Sequence, residues 1–141
     1  MESGLNTALL EAYKAKAARD NKINSVGQYG KGNIDLYNRP QYRQPDGSVS
    51  TVRSMSFGDE NGQEILVPTI ANDDYGRPYQ MTDRQAIDRY YDTGEYLGKF
   101  NSIHDANNYG DLLHQQQEQL YSNNTPYLDA LISVLLARKG L

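Results

Sequence analysis

"VSTVRSMSFGDENGQEILVPTIA", Val49 to Ala71, is the stretch that decides the fold. Val49, Thr51, Arg53, Met55 and Phe57 alternate with Ser50, Val52, Ser54 and Ser56, the period-two signature of a strand with one face of larger residues and one mostly of serine. Gly58 to Gly62 ends in Asn-Gly, which accepts the positive φ of a tight hairpin turn. A second strand is expected over Gln63 to Ala71, β-branched and apolar at its centre. Pro68 inside it has no amide donor and is expected at an edge or bulge.

Turn chemistry brackets this hairpin. Pro45-Asp46-Gly47-Ser48 precedes it, with Pro presetting φ and Gly accepting positive φ, while Asn72 to Pro78 follows and leads to a short strand at Tyr79 to Met81. Thr82-Asp83-Arg84-Gln85 has capping-box spacing and opens a helix whose buried side is read as Ala86, Ile87, Tyr90 and Tyr91; Gly94 ends it in the left-handed conformation. Tyr96, Leu97 and Phe100 in EYLGKF are expected to plug the core. Ser102 caps a second helix with a stripe of Ile103, Ala106, Tyr109, Leu113 and Leu120, QQQEQ remaining solvated. The fold class that follows is α+β: a small antiparallel β-hairpin or three-stranded sheet packed by two helices, with an additional amphipathic helix at each terminus.

The terminal helices rest on separate patterns. Leu5, Leu9, Tyr13 and Ala17 recur every four residues, with Ala8 and Ala12 beside them, so residues 1–20 read as an amphipathic helix with a narrow face of small residues. Residues 21–32 carry three Gly without a period and read as a linker or extended arm, residues 33–121 as the α+β module. In residues 122–141, Thr125 is the N-cap, Pro126 the first helical residue, and Leu128, Leu131, Ile132, Leu135 and Leu136 follow the i, i+3, i+4, i+7, i+8 rule. Leu5, Leu9 and Tyr13, together with those five C-terminal residues, are the candidate interface.

Composition narrows the function classes. The chain of 141 residues is about one domain long, and with 38% hydrophobic residues and a mean hydropathy of -0.78 its core must be modest. Twelve Tyr against two Phe and no Trp favour half-buried contact surfaces, because the ring is apolar and the hydroxyl needs a partner. A net charge of -4 and a pI near 5.1 argue against a direct nucleic-acid ligand. Zero Cys excludes disulfides, thiolate metal sites and a cysteine nucleophile. The N-terminus does not read as a signal peptide, and the most apolar run, Tyr127 to Ala137, is too short for a membrane span, so a soluble protein is expected.

No local pattern assembles a catalytic or cofactor site. His104 and His114, ten residues apart on one helix, differ by about 280° and cannot ligate one metal from it. Asp59 to Glu64 starts like a calcium loop, but its Gly stands fourth and no acid stands twelfth, so it reads as a decorated hairpin turn. Asp73-Asp74 reads as a solvated turn. Gly27 to Gly32 lacks the Gly-Lys-Ser/Thr ending and the preceding strand of a phosphate loop. Ser54 and Ser56 are not on a nucleophile elbow, and nothing local converges on Glu64 or Glu95 as a glycosidase pair would require. The densest polar stretch is GNIDLYNRP, Gly32 to Pro40. Asp35, Asn38 and Arg39 can each bond backbone groups and Pro40 forces Arg39 into an extended conformation, so it reads as a specified turn, fixed by Arg39 or Arg53 pairing with Asp35. The functional alternative is a polar contact point for a partner.

These residues carry a resemblance. NIDLYNRP, then PDGSVSTVRS, then VPT, then TGEYLGKF, over Asn33 to about Tyr121, resemble a small module encoded by many tailed bacteriophages and used alone or inside longer phage virion and polyvalent proteins. The resemblance singles out Asn33, Asp35, Asn38, Arg39, Pro40, Asp46, Gly47, Arg53, Pro68, Gly94 and Gly98. Tyr96 departs from it, standing where such sequences often have His. The resemblance implies a phage virion or polyvalent module to which no catalytic mechanism attaches. Together with the terminal helices, which lie outside it, the expectation is a non-enzymatic virion structural or assembly protein near the portal, tail or ejection machinery, without cofactor, its terminal helices docking onto other virion proteins or copies of itself or else folding back on the domain. The alternatives are a phage enzyme or enzyme accessory, such as one associated with cell-wall hydrolysis, and a host-directed protein left out of the particle.

Overall fold

Asp59 and Gln63 close the expected hairpin: the amide of Asp59 donates to the Gln63 carbonyl at 2.8 Å, and the Asp59 carboxylate accepts from the amides of Asn61 and Gln63. In the computed structural model the described residues are 3–121, 132 and 134–138. The elements in chain order are α1 (Ser3–Asn24), β1 (Tyr42–Arg43), β2 (Val49–Ser50), β3 (Met55–Gly58), β4 (Glu64–Val67), β5 (Ile70–Asn72), β6 (Pro78–Gln80), α2 (Asp83–Thr93), β7 (Gly98–Phe100) and α3 (Ile103–Tyr121). Ile132 and residues 134–138 are also helical. The fold is α+β, with small antiparallel sheets and helices toward both ends.

The central sheet has the order β3-β4-β7. Its third strand comes from EYLGKF, whereas Tyr79 and its neighbours pair with β5 in a separate two-stranded ribbon. Gly98 permits this: a Cβ there would stand 2.7 Å from the Phe100 ring. β4 is covered on both faces. Leu66 packs with Val52, Leu97, Tyr109 and Leu113 toward α3, while Ile65 and Val67 pack with Ala71, Met81 and Ala86 toward α2. Each fully buried aliphatic side chain here stabilises the fold by about 1.5–3 kcal/mol, which is why a short sheet suffices to hold two helices.

Two expected long strands are each divided. Thr51 and Val52 are consecutive and both buried, which an alternating strand does not allow, and Arg53 at φ 39° turns the chain between β2 and β3. Pro68, expected at an edge or bulge, falls in the break between β4 and β5, where no ladder donor is needed, and is buried there. Next to it, Thr69 joins the pieces, donating its amide to the Val52 carbonyl and its hydroxyl to the Arg53 carbonyl, while its own carbonyl accepts from Met81.

The helices begin as their caps direct. Thr82 and Gln85 form the reciprocal capping box of α2, Gly94 ends it at φ 74°, and the Ser102 hydroxyl accepts the Asp105 amide at the start of α3. Their stripes need correction. Tyr91, Ile103 and Leu120 are exposed, and Gln116 and Gln117, expected in solvent, are buried. Continuing Ala106, Tyr109 and Leu113 by three or four residues leads to those two glutamines, so position outweighs polarity once a partner is available.

At the N-terminus, α1 continues to Asn24 and packs against α3. Residues 25–32, expected as a linker or arm, form consecutive turns built into the core. Val26 is buried, the Leu36 amide donates to the Gln28 carbonyl, and the Lys31 amide donates to the Tyr109 hydroxyl. Thr125, Pro126, Leu128 and Leu131 lie outside the described residues, as does the side chain of Leu5.

Candidate functional site

Gly32 to Pro40 is the polar segment that both motif density and resemblance mark, and it lies across the joint between the sheets. Gly32 sits against the backbone of Tyr96 and Leu97 so closely that any Cβ would collide with it. Asn33 then binds the same loop three times. Its amide donates to the Tyr96 carbonyl at 3.1 Å, its Oδ1 accepts the Tyr96 amide at 2.9 Å, and its Nδ2 donates to the Gly94 carbonyl at 3.0 Å. Ile34 and Leu36 alternate with these polar residues into the core.

Asp35 and Arg39 do not pair with each other. The Asp35 carboxylate accepts the Tyr37 amide at 3.0 Å, a local turn bond, and no ion pair joins it to Arg39 or Arg53. The Arg39 guanidinium instead donates from Nε to the Thr51 carbonyl at 3.0 Å and from Nη2 to the Ile70 carbonyl at 2.7 Å; its amide donates to the Tyr121 hydroxyl. Burial lowers its pKa to about 10, with nearby Glu95 opposing the shift. It remains charged at neutral pH and spans two chain segments with its rigid fork, which a lysine could not do. Asn38 is exposed and Pro40 half-buried.

The remaining motif residues shape turns. The Asp46 carboxylate accepts the Ser48 hydroxyl at 2.6 Å and the Ser48 amide at 2.9 Å, and these bonds hold its pKa below the usual carboxylate range. Gly47 has φ 89°, and its carbonyl accepts from Arg43.

Side chains that the sequence reading left out complete the assembly. The Thr51 hydroxyl donates to Gln117 Oε1 at 2.6 Å, and Gln117 Nε2 donates to the Leu36 carbonyl at 2.9 Å, so α3 holds both the motif and the turn that follows β2. Tyr109, whose pKa burial raises, accepts the Lys31 amide. Tyr96 packs edge-on to Tyr90, with Lys99 Nζ 4.7 Å above its ring.

Two open spaces adjoin the assembly. One, of about 280 Å³, is bordered by Asn33, Asp35, Arg39, Arg89 and Glu95, with Arg89 and Glu95 paired at 3.7 Å. The other is a groove of about 810 Å³ between the Gly47–Ser56 segment and α3. Ser54, Ser56 and His114 all line the groove, yet Ser56 donates to Glu64 at 2.7 Å and His114 faces Glu118 at 3.8 Å. Among the described residues no serine hydroxyl is hydrogen-bonded to an imidazole, and no cluster of three or more acids and histidines could hold a metal ion.

Of the candidate interface residues, Leu9 is half-buried, Tyr13 is 51% exposed, Leu135 is exposed, Ile132 is half-buried and Leu136 is buried. No described helix is long and apolar enough to cross a membrane. Comparisons with models of known protein families, with curated proteins and with solved structures give no match to this chain.

Proposed function

We propose that this chain is a structural or assembly component of a tailed-bacteriophage particle, a minor protein near the portal, tail or ejection machinery that docks through its terminal helices. The observation that carries this reading is α1. It is 22 residues long, yet among its described side chains only Ile23 is buried, leaving Leu10 and Tyr13 exposed. A helix whose length exceeds what its own domain covers is a handle for a neighbour. The polar motif supports the same reading, since Asn33, Asp35 and Arg39 direct their bonds to backbone groups of this chain. The motif series resembling phage modules supplies the biological setting. The reading takes the chain to be non-enzymatic and its partners to be other virion proteins or further copies.

Quantitative mass spectrometry of purified particles, scaled to the major capsid protein, tests it. A fixed copy number matching a portal or tail ring is expected. Absence from particles with abundance in infected cells would overturn the reading and favour a host-directed role.

A further inference from the structure

We propose that the outer edge of β3 and the groove beside it form a strand-addition site, which takes an extended partner segment carrying Lys or Arg as a fourth strand. The inference goes beyond the docking through terminal helices proposed above, placing a second contact on the sheet. β3 is an end strand of the β3-β4-β7 sheet. Asp59 donates to Gln63, so those two form a hydrogen-bonded pair, and the register Gly58↔Glu64, Phe57↔Ile65, Ser56↔Leu66 alternates from there. Phe57 therefore exchanges bonds with β4, whereas Ser56 and Gly58 direct their amides and carbonyls away from it. No described hydrogen bond reaches those outward groups.

The space beside this edge already has the dimensions of a binding site. The groove of about 810 Å³ has Arg53, Ser54 and Ser56 on one side and Asn107, Asp111 and Glu118 of α3 on the other. An edge strand between open backbone groups and a helix wall is a general arrangement for adding a peptide, the backbone giving affinity and the walls giving selectivity. The outward positions Ser56 and Gly58 carry neither charge nor proline, the usual protections of an exposed edge.

Charge selects the occupant. Asp111 and Glu118 lie two turns apart, about 10.5 Å along the same face of α3. Asp111 has no ion pair among the described residues, and Glu118 meets only His114. Two carboxylates against the single Arg53 favour a basic segment. A second copy aligned edge to edge would bring the same acidic walls together and is disfavoured.

The test is a titration of the full ¹⁵N-labelled chain with two capped heptapeptides, one alternating Thr with Lys and one alternating Thr with Glu. The Lys peptide is expected to shift the amide resonances of Ser54, Ser56, Gly58 and Asp111 saturably, and to bind at least about tenfold more tightly than the Glu peptide. Ser56→Pro removes an outward amide, and with it the side-chain bond to Glu64, while leaving the backbone ladder to β4 intact, and is expected to keep the spectrum dispersed while weakening binding about tenfold or more. Should that variant fail to fold, the double variant Asp111→Asn, Glu118→Gln provides the readout, with the preference for Lys over Glu expected to disappear. Equal response to both peptides, no saturable shift, shifts confined to other surfaces, wild-type binding by Ser56→Pro, or a preference for Lys that persists in the double variant would overturn the proposal. Concentration-dependent shifts of these residues without peptide would assign the edge to a second copy and also overturn it. The particle census is independent: presence in particles with no peptide binding removes only the groove, and the reverse result removes only the virion reading.

Discussion

A guanidinium taken out of water without a carboxylate partner is costly, and Arg39 is tolerated because its fork reaches two carbonyls from separate segments. Replacing it by Met leaves the Thr51 and Ile70 carbonyls without their charged donor. Arg39→Met is expected to lower the free energy of unfolding by about 2–3 kcal/mol in urea titrations, after allowing for relief of the buried charge. A change within about 0.5 kcal/mol would show that the bonds do not brace the joint. Asp73 adds a pH dependence of known sign. The Arg77 amide is the chief cause of its lowered pKa, the Tyr75 amide and Arg77 side chain adding to it against desolvation. Its stabilising effect is therefore present above about pH 4, the unfolded carboxylate value, and is lost as pH falls through the lower folded value. The gap in unfolding midpoint between wild type and Asp73→Ala should be constant from pH 7 to about pH 5 and close as the pH falls further. A gap that widened in acid would contradict the assignment.

Helix ends, turns and the β3-β4 hairpin are legible in the sequence because each depends on residues within a few positions. Thr82 with Gln85, Gly94, and Asn61-Gly62 act as their local chemistry dictates. The breaks at Arg53 and Pro68 are not legible as breaks, since both answer to Thr69, which binds across the joint. The third strand was hidden for a similar reason: EYLGKF has no alternation of its own and becomes a strand by pairing with β4. At the candidate site, Asn33 and Arg39 are visible as polar density, but their hydrogen-bond partners, 63 and 31 positions away, are not. Gln117 belongs to the same class. Gln117→Leu preserves the helical period while removing partners from the Leu36 carbonyl and the Thr51 hydroxyl, so a loss of about 2–4 kcal/mol is expected in chemical denaturation. The exposed neighbour Gln115→Leu should stay within about 0.5 kcal/mol. Equal effects at the two positions would mean that Gln117 does not hold α3 to the motif.

Across the whole molecule, structure and proposed function divide between inside and outside. The motif, the Gly-rich turns and α3 lock together around the sheet, and their polar side chains are occupied there. α1 presents a surface that its own domain leaves open, as does the outer edge of β3. Because Leu10 and Tyr13 are exposed, Leu10→Glu and Tyr13→Glu should each change the unfolding free energy by no more than about 0.5 kcal/mol. In an assembled particle the same changes would place a charge within an apolar contact, which is strongly unfavourable. The most direct measurement is the copy number per particle of the wild type and of a variant combining Leu10→Glu with Tyr13→Glu, by quantitative mass spectrometry of phage grown with each. A fixed, portal-like or tail-like number is expected for the wild type, and near-complete loss for a variant that still folds. Equal incorporation of both would contradict docking through α1, and absence of both would contradict the virion assignment itself.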